Sequence, residues 1–210
     1  MNICTKARLA SVSILLIGSA GGALAQDASD GFYLKLLGGA SFLSDADLSG
    51  AALGKVGFDT GFLAGGAVGY SLSGSGLRGE LEYAYRTGDA DGKLGITGDL
   101  ASTSFALNAF YDFSPIGTAR ITPYVGAGLA YVTEIDFDVV TGPIGEYSKS
   151  GIFGYQLMVG ADVPIAERWS LNGELRYFDA GSQSLRSPTS AILRTDYATL
   201  DLVFGATFRF

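Results

Sequence analysis

The residues of this chain that could do chemistry are carboxylates, arginines and hydroxyls. The 210 residues include no histidine and one cysteine, Cys4. Without imidazole there is no Ser-His or Cys-His nucleophile pair, no histidine zinc site and no histidine-ligated haem. Glu80 and Glu82 stand two apart with Arg78 and Arg86 on either side. Paired carboxylates could serve acid-base hydrolysis, but carboxylates interleaved with arginines are better suited to ion pairing. Two motifs fail on context. Gly126-Ala127-Gly128-Leu129-Ala130-Tyr131 begins like a dinucleotide fingerprint, yet it lies inside an alternating run that opens into no helix. Asp89-Ala90-Asp91-Gly92 hints at a calcium loop, but Lys93 and Leu100 occupy the fifth and twelfth ligand places, and a tight turn explains it better. We therefore expect no catalytic residue, no cofactor and no metal site. The acidic loops could hold divalent ions weakly, at no position that their spacing specifies.

The elements that carry these charges alternate. From Asp196 to Phe210, Ala198, Leu200, Leu202, Phe204, Ala206, Phe208 and Phe210 are apolar and interleave with Tyr197, Thr199, Asp201, Val203, Gly205, Thr207 and Arg209. Period two is the signature of a strand with one greasy and one mixed face. Ordinary strands run about 5 to 6 residues, whereas a tilted strand crossing a bilayer needs about 9 to 11.

The same pattern recurs seven times upstream. The apolar faces begin at Phe32, Phe58, Leu77, Thr103, Ile121, Phe153 and Trp169. Between the strands lie connections that alternate in length: long at 43–57, 88–101, 134–151 and 179–195, short at 73–76, 114–120 and 164–168. An even number of strands with alternating long loops and short turns predicts an all-β, eight-stranded antiparallel up-and-down transmembrane β-barrel. Aromatics tip the apolar faces as interfacial girdles would: Phe32, Tyr70, Phe113, Trp169 and Phe208 at one end, and Phe42, Phe58, Tyr85, Phe105, Tyr131, Phe153 and Tyr177 at the other.

At the N-terminus, Lys6 and Arg8 precede the apolar run Leu9 to Ile17, and Ala23-Leu24-Ala25 offers a small-residue cleavage site. Residues 1–25 read as a cleaved secretory signal peptide and 26–210 as the barrel domain. Cys4 precedes the apolar run, so it is no lipid anchor, and processing would leave a chain without disulfides. Two of the 14 bases leave with the leader, so 12 face 21 acids, a net charge of −9, which argues against nucleic acid as a partner. No run of about 18 apolar residues remains for a membrane helix. An exported, hydrophobic chain of this kind can sit in lipid as a closed barrel.

Alternation alone does not say which face is inside, and a soluble lipocalin-like barrel would bury its apolar face around a ligand. The length of the runs, the aromatic tips and the Gly- and Ala-rich polar faces favour lipid outside. The charged side chains Lys35, Arg78, Glu80, Glu82, Arg86, Asp112, Asp162, Glu174, Arg176, Asp201 and Arg209 must then point into the lumen, because a basic residue facing mid-membrane costs about 2 to 4 kcal/mol. Five bases against six acids suit a salt-bridged plug. A narrow, low-conductance path for ions or small solutes is the alternative.

The signal-like start with Gly31-Phe32-Tyr33, then Gly79-Glu80-Leu81-Glu82-Tyr83, Thr122-Pro123-Tyr124-Val125-Gly126-Ala127-Gly128 and Ala206-Thr207-Phe208-Arg209-Phe210 resemble the single-domain eight-stranded barrels of the opacity-protein and outer-membrane protein A-like group, also called porin-family or surface-antigen proteins. The likeness spans the whole mature chain. It departs from outer-membrane protein A in that no peptidoglycan-binding domain is expected after Phe210. The resemblance implies a Gram-negative outer-membrane location, with lipid and lipopolysaccharide around the barrel. It further implies a C-terminal signal (Phe204, Phe208, Phe210) read by the barrel-assembly machinery, and long loops that meet surfaces or host ligands. The role implied is envelope integrity or surface contact.

Overall fold

The computed structural model describes residues 31–43, 46–50, 54–56, 59–72, 74–89, 98–139, 145–186 and 192–210. The proposed signal peptide, Phe58 and all of the Asp89–Gly92 motif after Asp89 lie outside them. Eleven strands follow in order: β1 Gly31–Leu43, β2 Ala46–Gly50, β3 Gly54–Val56, β4 Gly61–Leu72, β5 Leu77–Asp89, β6 Gly98–Asp112, β7 Thr122–Val139, β8 Gly145–Lys149, β9 Ile152–Pro164, β10 Trp169–Arg186 and β11 Ile192–Arg209.

Eight of these close a ring of antiparallel neighbours, β1-β4-β5-β6-β7-β9-β10-β11. The last strand returns to the first through a register that runs from Tyr33 opposite Arg209 to Leu43 opposite Thr199. Closure leaves no sheet edge in the wall, the condition for strands to lie in hydrocarbon. The three short strands stand outside the ring, at the end away from the chain terminus: β2 pairs with β3 and touches β11, while β8 pairs antiparallel with the outer end of β7.

Period two in the sequence becomes two surfaces. Along β5, Arg78, Glu80, Glu82, Ala84 and Arg86 are buried while Leu77, Leu81 and Tyr83 are exposed. The outer wall carries bare hydrophobic side chains throughout, including Leu107, Leu129 at 72 % exposure and Phe153 at 77 %. In water this apolar area would be untenable; in a bilayer it is the contact surface. Aromatic contacts ring both ends. Phe32 packs on Tyr70, Tyr111 on Phe113, and Trp169 on Phe208 at the terminus end. Phe62 packs on Tyr85, Tyr83 on Phe105, and Tyr131 on Phe153 at the other.

The long connections are shorter than the sequence implies. β5 and β6 stay paired out to Asp89 opposite Asp99, β7 runs on to Val139 and pairs with β8, and β10 and β11 pair as far as Arg186 opposite Ile192. Most of the segments 134–151 and 179–195, and the two ends of 88–101, all expected as loops, are strand. Two bulges hide this. Between Thr103 and Ser104 the partner strand β7 gains Thr133, and on β10 the register breaks between Asp179 and Ser182. Each bulge inverts the face on which the following residues lie, so alternation stops being readable while pairing continues.

Candidate functional site: the charged bore

All eleven charged residues named above occupy inward positions on the ring, and most are buried. They form three layers. The middle one centres on Arg176, which is fully buried on β10. Its Nη1 and Nη2 donate to the two carboxylate oxygens of Glu82 across the bore at 2.6 and 2.9 Å. Its Nε and Nη2 donate to Glu174 on the same strand at 3.0 and 2.7 Å. A planar guanidinium is suited to such two-pronged binding, and the pair ties β5 to β10 across the lumen. Asn108 donates to Glu82 at 3.4 Å and Gln156 to Asn108 at 2.7 Å, completing a polar layer over β5, β6, β9 and β10.

Below it, toward the terminus end, Arg78 donates to Asp112 at 2.9 Å and to Glu80 at 3.2 Å and lies 3.4 Å from Asp162. Its guanidinium is sandwiched 4.6 Å from the Phe110 ring and 4.5 Å from the Tyr124 ring. Lys35 lies 3.7 Å from both Glu80 and Glu174. The Tyr33 hydroxyl donates to Glu80 at 2.8 Å and that of Tyr124 to Glu174 at 2.9 Å. Arg209, half-buried at the mouth, donates to Ser170 at 3.0 Å. In the upper layer Arg86 donates to Asp201 at 3.0 Å and to Ser104 at 3.2 Å, and the Ser41 hydroxyl donates to Asp201 at 2.7 Å. Phe178 lies under the Arg86 guanidinium at 4.9 Å.

Five bore aromatics escaped the reading by charge: Tyr33, Phe110, Tyr124, Phe178 and Tyr197. The amides Asn108, Gln156 and Asn172 escaped it too. The signal was present in the glycines. A Cβ at Gly69 would strike the Tyr33 ring, one at Gly126 the Phe110 ring, and one at Gly160 the Tyr124 ring at 2.6 Å. Wall positions emptied of side chain are where a ring from a neighbouring strand lies flat. An eight-stranded barrel is only wide enough for its side chains to fill, and here rings and ion pairs fill it together.

Chemically the arrangement neutralises charge. The carboxylates of the middle layer are engaged by arginine, and no group of three or more His, Cys, Asp or Glu among the described residues is arranged to hold a metal ion. The C-terminal aromatics lie elsewhere: Phe204 and Phe208 face outward on β11, and Phe208 contacts both Trp169 and Phe210.

Comparison with known proteins agrees with this architecture. The family model described as outer membrane protein beta-barrel domain matches residues 11–210. Among solved structures, the chain is similar to the outer membrane protein OprG from Pseudomonas aeruginosa at 21% identity and TM-score 0.57, covering 87% of this chain and 98% of that one. It is also similar to Neisserial surface protein A at 21% identity and TM-score 0.53, covering 85% and 97%. A third likeness is to a major outer membrane protein from Thermus thermophilus, at 18% identity and TM-score 0.51, covering 85% and 99%. No curated protein matches the chain. The barrel resides in the bacterial outer membrane, wrapped in its lipid, and the chain belongs to the family of outer membrane protein β-barrel domains.

Proposed function

We propose that this protein is a structural, surface-contacting component of the outer membrane whose bore is sealed, and that it catalyses no reaction. The observation that carries this reading is the Arg176 layer. One fully buried guanidinium is chelated by carboxylates from both sides of the lumen and flanked by Asn108 and Gln156, leaving little free polar surface for a passing ion. Opening a path there requires separating buried charges, which costs several kcal/mol per ion.

Contact with the outside then falls to the part of the barrel that projects beyond the outer aromatic ring. It includes the β7–β8 hairpin, the β10–β11 extension and the β2–β3 hairpin. These would meet lipopolysaccharide, surfaces or host ligands. On the same reading Phe204, Phe208 and Phe210 on the closing strand are what the barrel-assembly machinery recognises. Single-channel recording of the purified protein in planar bilayers tests the sealed bore. We expect small or no conductance, and a stable channel of porin size would overturn the reading in favour of a transport role.

A further inference from the structure

We infer that the two turns joining β6 to β7 and β9 to β10 form a site for an anionic phospholipid of the periplasmic leaflet. Arg120 and Arg168 meet its phosphate, and Ile116, Ile121 and Ile165 meet its acyl chains. The site goes beyond the structural role proposed above and does not depend on whether the bore conducts. Short turns of outer-membrane barrels face the periplasm. These two are neighbours, because β7 pairs with β9 from Thr122 opposite Asp162, and β9 with β10 from Pro164 opposite Ser170. Both carry the lipid face past the terminus-end aromatics. Ile121 keeps the outward phase of Pro123 and Val125, and Ile165 that of Leu157 and Val159. Ile116 is opposite Ile121, and the two exchange backbone hydrogen bonds of 2.8 and 3.1 Å, so they share a face. Ile116 is 63 % exposed and Ile165 58 %. Apolar side chains so placed are continuous with the surface that the wall gives to hydrocarbon.

Charge selects the headgroup. Arg120 and Arg168 are exposed, and neither guanidinium has an ion pair or a hydrogen-bond partner among the described residues. Glu167, the only acid in the two turns, pairs with neither. Strands β7 and β10 are two spacings of about 4.8 Å apart, so two arginine side chains at their ends can close on one phosphate. At the opposite end of the barrel the exposed charges Asp59, Asp89, Asp99 and Glu134 are acids. The attraction for an anionic headgroup therefore lies on the terminus side.

The backbone adds a second indication. Arg120 has a φ of 50°, the one non-glycine residue at positive φ among those described, and closes a four-residue loop that Gly117 opens at 69°. Glycine takes this conformation freely, whereas a side chain is strained in it. An arginine held where glycine would be relaxed points to a use for its guanidinium.

Trp169 is the natural reporter, being the only tryptophan, next to Arg168 and exposed on the outer wall. The full barrel is placed in mixed vesicles of phosphatidylcholine and phosphatidylglycerol, with bromine on the chains of one lipid or the other, and quenching of Trp169 reads which lipid lies beside it. A basic residue near an anionic surface contributes about five-fold, so phosphatidylglycerol should be preferred by about 5- to 25-fold at low salt. At 1 M salt, where screening sets in within about 3 Å, the preference should nearly vanish. Arg120→Gly/Arg168→Gln relaxes the loop and removes both charges, and should bring the two lipids to near parity. Equal quenching by both lipids in the wild type would overturn the site and leave the apolar turns to a periplasmic protein. A preference that persists at 1 M salt, or in the double variant, would equally refute the role of the arginines. The salt series needs no variant, so the test stands even if the double variant fails to insert.

Discussion

Replacing Arg176 with methionine removes the cation that two carboxylates share. Glu174 keeps Lys35 at 3.7 Å and the Tyr124 hydroxyl at 2.9 Å, but Glu82 is left with the Asn108 amide at 3.4 Å. Removing one partner from a buried pair costs about 3 to 5 kcal/mol. A stranded Glu82 beside a Glu174 that has lost its arginine puts this change at the upper end, about 5 kcal/mol. That is between three and four orders of magnitude in the folding equilibrium, since about 1.4 kcal/mol is tenfold. In lipid vesicles titrated with urea, at a slope of about 2 kcal/mol per molar, the midpoint should fall by about 2.5 M. The only tryptophan, Trp169, lies on the lipid face in contact with Phe208, so its emission reports the barrel leaving the membrane. The double variant Arg176→Met/Glu82→Leu replaces the pair with apolar groups and should recover most of the loss. An Arg176→Met midpoint within about 0.3 M of wild type at that slope, or a double variant no more stable than the single one, would refute the view that these charges are closed off from water.

Other perturbations read different parts of the barrel. Leu81→Arg places a cation on the lipid face between Val68 and Leu107 and should cost about 2 to 4 kcal/mol in the same urea titration. A value near zero would mean that this face is not in hydrocarbon. Glu80→Ala strips Lys35, Arg78 and Tyr33 of a shared acceptor, and heat-dependent gel mobility should show the compact form lost at lower temperature. Beyond the outer ring, Asp89 stands opposite Asp99, a pair of like charges on neighbouring strands. Asp99→Asn should therefore stabilise by about 0.2 to 1 kcal/mol at low salt and by almost nothing at 1 M; a gain independent of salt would argue against repulsion. Phe208→Ala forfeits the contacts with Trp169 and Phe210, about 1 to 3 kcal/mol in total, and slower insertion into vesicles is the observable.

The fold was legible where the bilayer imposes it. On β5 the run from Leu77 to Arg86 must give one face to lipid and the other to the lumen, so its alternation is clean. On β7 and β10, past the outer aromatics, neither face has to be apolar. Bulges at Thr133 and after Asp179 shift the phase, and the strands continue unannounced into segments read as loops. The bore was legible as a set of charges but not as a set of pairs. Arg176 finds Glu82 94 positions earlier, and Arg86 finds Asp201 115 positions later, through barrel closure and shear that no local pattern encodes. The bore rings were hidden for another reason. Tyr33, Phe110 and Tyr124 read as ordinary strand aromatics until the opposing glycines show that the lumen has made room for them.

Lipid lies outside this barrel and a filled, polar lumen inside. Quenching by brominated lipid tests it most directly, using a single tryptophan moved, in a Trp169→Phe background, to either of two positions on β6. Leu107 is an exposed wall residue, and Phe110, three residues along, is buried in the lumen. A tryptophan at 107 should be strongly quenched and one at 110 much less so; equal quenching at both, or stronger quenching at 110, would contradict the account.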